Sequence, residues 1–212
     1  MLLRYAALGE QTGVEMLSMN CELITANNQT ARWRALVNKT RGVYSGLLTT
    51  APNGHGHQNW VEWFDAVDVI GVDLYDHVAG DTVAEMAASL RPYVDQLESL
   101  HRKFARPVVL TEIGYCSGGC DRLHAASPAD LANQADHYEA VFQATAGKPW
   151  FLGAFWWNWD SDPAFGAGDA CLNPAWKPAE DVLRRYYRAT RPKPAKPSQF
   201  TPACVGVGTC TC

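Results

Sequence analysis

The spacing of apolar and polar positions changes period repeatedly along the chain, between the helical value near 3.6 and short continuous apolar runs. Residues 1–12 carry the pattern of the last turns of a helix, closed by Gly13. Val14–Cys21 (VEMLSMNC) reads as a strand that runs into Glu22. Asn28–Arg41 places Trp33, Leu36 and Val37 on one helical face, and Gly42 ends it. Tyr44–Thr50 predicts the next strand, leading into the loop APNGHGHQ; Trp60–Ala66 predicts a short helix and Asp68–Tyr75 a third strand. Thr82–Phe104 predicts one long helix, with Val83, Met86, Leu90, Val94, Leu97 and Leu100 at helical spacing. Val108, Val109 and Leu110 then form a block suited to a strand buried on both faces, ending in Thr111 and Glu112. Ser127 as N-cap and Pro128 at the first helical position start a helix that reaches about Thr145. Trp150–Trp159 predicts a fifth strand and Lys177–Arg188 a last helix.

Strand and helix alternate five times, which predicts an α/β protein with a parallel sheet. An open doubly wound sheet and a closed barrel both fit that rhythm. No GxGxxG or P-loop sequence opens a helix after a strand, so the nucleotide-binding form of the open sheet has no support. The strand ends instead carry Glu22, Asn53, Asp73, Tyr75, Glu112 and Trp157, and polar and aromatic groups at strand ends are what a TIM-barrel active site uses. A full (β/α)8 barrel needs about 250 residues. Residues 1–190 therefore read as a partial TIM barrel of five βα units, lacking the first three. Residues 191–212 read as a Pro-rich linker and a Cys-containing tail.

Composition narrows the chemistry. The chain has 212 residues and a net charge of −4, with no concentrated basic patch, so nucleic acid is not an expected partner. No apolar run is long enough to cross a membrane, and the first residues do not read as a signal peptide. The compartment stays open, although Asn28-Gln-Thr and Asn38-Lys-Thr would be glycosylation sequons in a secreted protein. Eight Trp and eight Tyr supply flat apolar faces with polar tips, which suit the faces and hydroxyls of sugars. Among the seven Cys, Cys116 and Cys120 flank a Ser-Gly-Gly turn and are expected to lie close together. His partners at ligand spacing are lacking, and His55 and His57 read as solvated loop residues, so neither metal nor cofactor is expected.

Two Glu residues, Glu22 and Glu112, directly end predicted strands, and in a barrel they would face each other across the mouth. Glycoside hydrolysis uses such a carboxyl pair, one on each side of the scissile bond. Asn20 could bind a sugar hydroxyl or orient an acid, Tyr75 could hold the Glu112 carboxylate, and Asp73 points the same way as Tyr75. Strand alternation places Trp157 and Trp159 opposite Trp156, where one of them would floor a sugar site.

The segments NCEL, GLLTTAPN, FDAVDVIGVDLY, PVVLTEIGY, FWWNWD and KPAEDVLRRYY, in this order and spacing, resemble glycoside hydrolase family 113. That family comprises retaining clan A barrels with β-mannanase activity. The resemblance runs from about residue 5 to residue 188. It implies that Glu22, in NCEL, is the acid/base and Glu112, in TEIGY, the nucleophile. It also implies a polysaccharide or oligosaccharide substrate. Asn20-Cys21 departs from the Gly-Thr that precedes the first Glu in the family. Two further readings remain open: a clan A glycosidase of another β-glycan specificity, and an inactive or sugar-binding barrel fragment.

Overall fold

The computed structural model describes residues 1–75, 78–120, 125–160 and 168–189. The predicted linker and Cys tail lie outside the described residues. Five strands, β1 (Met16–Cys21), β2 (Leu47–Ala51), β3 (Ile70–Asp73), β4 (Val108–Ile113) and β5 (Phe151–Trp156), are parallel wherever they pair. β1 pairs with β2, and β3–β4–β5 form a second ladder. Backbone bonds from Asp68 N to Leu48 O (2.9 Å) and from Asp73 N to Pro52 O (2.9 Å), with a bridge between Asn53 and Asp73, carry the order across β2 and β3. The result is a partial barrel of five strands in sequence order.

The helices are α1 (Leu2–Thr12), α2 (Thr30–Arg41), α3 (Val83–Ser89), α4 (Arg91–Phe104), α5 (Pro128–Thr145) and α6 (Pro178–Ala189). Gly13 takes a left-handed conformation (φ 72°) and caps α1, as its position predicts. Ser127 and Asp130 form a capping box at the start of α5, with Pro128 in the first turn.

Two expected helices differ. The single helix over 82–104 is two, α3 and α4, meeting at Leu90. Pro92 lacks an N–H to offer Ala88 and its ring crowds that carbonyl, so the α3 ladder cannot run through it. The apolar period continues across the break, which is why the pattern reads as one helix. The expected helix over 60–66 is replaced by two 3₁₀ turns, His57–Trp60 and Phe64–Ala66. The segment between them delivers Trp63 to the core, fully buried, stacked on Trp33 at 5.0 Å and donating to Asn27 O. The strands are also shorter than expected: β3 stops at Asp73 and β5 at Trp156.

Most buried apolar side chains form one cluster between the strands and helices α2–α5, and a smaller cluster joins α5 to α6 through Tyr138, Val182 and Leu183. Among the described residues the opposite side of the strands is open. Leu47, Leu152 and Phe155 are exposed there and, with Met16, Val69 and Val109, line a cavity of about 540 Å³. A closed barrel fills this interior with side chains from all its strands. Here five strands line it, and β1 and β5 each have one ladder partner among the described residues.

Candidate active site

The C-terminal ends of β1–β4 come into line because the strands share one direction. Cys21 pairs with Ala51, the bridge joins Asn53 to Asp73, and Asp73 pairs with Glu112. The register shifts just before these positions, between Ser18 and Cys21 and between Val72 and Asp73. Such bulges re-aim side chains at a strand end. Glu22 follows directly and has a left-handed backbone (φ 53°), uncommon outside glycine. The conformation is pinned by bonds from Glu22 N to Ala51 O (2.8 Å) and from Ile24 N to Glu22 O (2.9 Å).

Glu112 is half-buried, and each of its oxygens has its own donor. The Tyr75 hydroxyl donates to Oε2 at 2.9 Å, and the Cys21 thiol approaches Oε1 at 3.6 Å. Glu22 is exposed, and Asn53 Nδ2 donates to its Oε1. Asp73 is 1% exposed and accepts from Thr111 Oγ1 at 2.6 Å. Beneath the site Thr50 Oγ1 donates to Asn20 Oδ1 at 2.7 Å. Asn20 Nδ2, Asn53 Oδ1 and Asp73 Oδ2 are buried polar atoms without a protein partner among the described residues. Buried polar atoms are costly unless bonded, so these three are left unsatisfied by the side chains around them.

Burial and neighbouring carboxylates shift three of these groups the same way. Desolvation, opposed by the Thr111 hydrogen bond and reinforced by Glu112 and Glu22, raises the Asp73 carboxyl to about 7. Desolvation and the charges of Asp73, Glu112 and Glu22 push the Cys21 thiol up to about 11. Tyr75 is raised as well, first by burial and then by its bond to Glu112. Donor atoms of Cys21, Asp73 and Glu112 lie within 4.8 Å of one another.

The Asp73 shift makes stability depend on pH. Its folded value lies above the ordinary 3.8, so its contribution is complete below about pH 4 and is lost as pH rises through about 7. Asp73→Asn keeps an acceptor for Thr111 and removes this loss. The variant should gain on the wild type by on the order of 3 kcal/mol between pH 4.5 and pH 8 in urea unfolding. Parallel pH curves for the two proteins would contradict the shift.

Trp157 and Trp159 are both exposed, but in different surroundings. Trp157 N donates to Ile113 O at 2.7 Å, one residue beyond Glu112. Trp159 lines a groove of about 700 Å³ between β5 and α6, with Phe155, Leu183 and Arg184. Trp156 turns the other way and stacks on Tyr138 at 4.0 Å. In the loop after Glu112, Cys116 and Cys120 form a disulfide with a Cα–Cα distance of 5.2 Å, in keeping with their spacing. Buried Lys177 ties that loop to the segment before α6 through Ser117 Oγ (2.9 Å) and Asp169 Oδ1 (2.8 Å). Sequence reasoning passed over the roles of Cys21, Thr50 and Thr111. Their places at strand ends beside the named polar residues are the signal that was there to read.

The described arrangement is similar to several solved enzymes. The GH113 β-mannanase AaManA from Alicyclobacillus acidocaldarius, in complex with ManMIm, is 31% identical and superposes with a TM-score of 0.73 over 89% of this chain and 60% of its own. A GH113 β-1,4-mannanase is 26% identical, with a TM-score of 0.73 over 90% of this chain and 60% of its own. A β-glucuronidase from Faecalibacterium prausnitzii, 14% identical with a TM-score of 0.65, covers 89% of this chain and 34% of its own, and shares the fold alone. The chain thus spans about three fifths of the length of the mannanases it resembles. No curated protein matches it in sequence. The family model of Glycoside Hydrolase Family 113 matches residues 1–176, a span that contains both strand-end glutamates, and the chain belongs to that family.

Proposed function

We propose that this chain carries the two-glutamate centre of a retaining glycoside hydrolase acting on β-mannan-type polysaccharide. The observation that carries the reading is the environment of Glu112, a carboxylate at a parallel-strand end with a separate donor on each oxygen. In the proposed reaction Glu112 attacks the anomeric carbon while Glu22 protonates the leaving oxygen. Glu22 then takes a proton from water as water displaces Glu112 from the glycosyl-enzyme. Tyr75 holds the nucleophile in place and Asn53 holds the acid/base, and Asn20 and Asp73 lie beside them as candidate contacts for sugar hydroxyls. The relatives described as β-mannanases support the sugar class.

The test is release of reducing ends from a panel of soluble β-glycans, by this chain alone and by this chain joined to the part of AaManA that it does not span. Preference for β-mannan supports the reading. Preference for another β-glycan would reassign the substrate, and no release from either protein would leave a sugar-binding role.

Trp157 is proposed as the stacking platform. Trp157→Ala should weaken binding of β-manno-oligosaccharides about tenfold, or ~1.4 kcal/mol, in calorimetry, with no change in melting temperature. Unchanged affinity would remove Trp157 from the site.

A further inference from the structure

Cys21 ends β1 and Glu112 lies in β4, so their contact spans β2 and β3 and crosses the concave side of the strand arc. Among the described residues no other side chain hydrogen-bonds Glu112 Oε1, while Tyr75 donates to Oε2. We propose that Cys21 is a positioning residue: its thiol donates to Glu112 Oε1 and, with Tyr75 on Oε2, fixes the plane of the attacking carboxylate. This rests on the reading of Glu112 as nucleophile.

The geometry has chemical support. A carboxylate held by one donor turns about its last bond, whereas two donors on opposite oxygens fix its plane. A carboxylate that must approach one carbon in line gains from that order. The thiol is a donor here because its surroundings keep it protonated well above neutral pH. A carboxylate oxygen of Asp73 lies in the same cluster as the thiol and Glu112, within 4.8 Å of both.

Two readouts need no turnover. The infrared S–H band of Cys21, isolated by subtracting the spectrum of Cys21→Ala, should move to higher wavenumber in Glu112→Gln, where the acceptor has lost its charge. Alkylation by iodoacetamide at pH 8.5, mapped to Cys21 by peptide mass, should be at least about threefold faster in Glu112→Gln, because the thiolate no longer faces that charge. A band that stays in place, or equal alkylation rates, would overturn the hydrogen bond. In the active protein, Cys21→Ala should lower kcat about tenfold with KM within about twofold, and Cys21→Ser should restore most of the loss. Full kcat in Cys21→Ala would overturn the positioning role. If instead Glu112→Ala kept its activity while both thiol readouts changed as expected, the contact would stand and the nucleophile assignment would fall.

Discussion

Replacing Glu112 by Ala should lower turnover by on the order of ten-thousandfold or more, with the fold intact. The side chain is half-buried at a strand end, and its removal frees two donors, Tyr75 and Cys21, that can turn to water. Azide should restore part of the activity by occupying the vacated space and attacking from the same side. The product would be a glycosyl azide of inverted configuration. Glu22→Ala should behave differently. Substrates with good leaving groups would still form the glycosyl-enzyme, and azide would then give a product of retained configuration. The opposite pairing of mutant and product would exchange the two roles. Glu22 is exposed and Glu112 is not, which suits a group that meets water in the second step and a group that must stay ordered in the first.

Gly71→Ala should be among the most damaging single changes away from the glutamates. Gly71 is buried in β3, paired with Val109. A Cβ there would lie 2.2 Å from Thr50 O, 2.7 Å from Thr111 Cγ2 and 2.8 Å from Thr49 Oγ1. The first contact is backbone of β2 and cannot rotate away, so β2 and β3 must separate where few ladder bonds hold them. Overpacking of this kind costs about 3 kcal/mol or more, read as a lower urea midpoint with an unchanged slope. The damage would extend to the site, because Thr50 holds Asn20 and Thr111 holds Asp73. A midpoint equal to the wild type would show that the two strands are not in contact here.

Much of this architecture was legible in the chain itself, for physical reasons that also mark where legibility stopped. Parallel strands buried on both faces announce themselves as apolar runs such as Val108–Leu110, and the first polar residue after such a run marks the end that faces the site. Asp73 and Glu112 lie in the last two residues of β3 and β4, and Glu22 and Asn53 follow β1 and β2 by one and two residues. The contact of Tyr75 with Glu112 was also expected, from their places at successive predicted strand ends, although Tyr75 stands two residues beyond β3. The contact of Cys21 with Glu112 did not, because it depends on how far the sheet curves over four strands and on bulges that no periodicity records. The break between α3 and α4 was hidden for a different reason. Pro92 interrupts hydrogen bonding without interrupting the apolar face, and only the face is visible as a pattern. The tryptophans near 156–159 alternate as a strand would, yet β5 stops at Trp156. Their surroundings are then set by the turn and by α6.

The reading of Glu112 as nucleophile and Glu22 as acid/base is tested most directly by the configuration of the first product. Retention needs carboxyl groups about 5–5.5 Å apart, whereas inversion needs about 6.5–9.5 Å to admit a water between base and sugar. Proton NMR of β-manno-oligosaccharide hydrolysis, followed before mutarotation, should show the β-anomer of the new reducing end appearing first. First appearance of the α-anomer would mean direct attack by water, and Glu112 would then be a base and not a nucleophile.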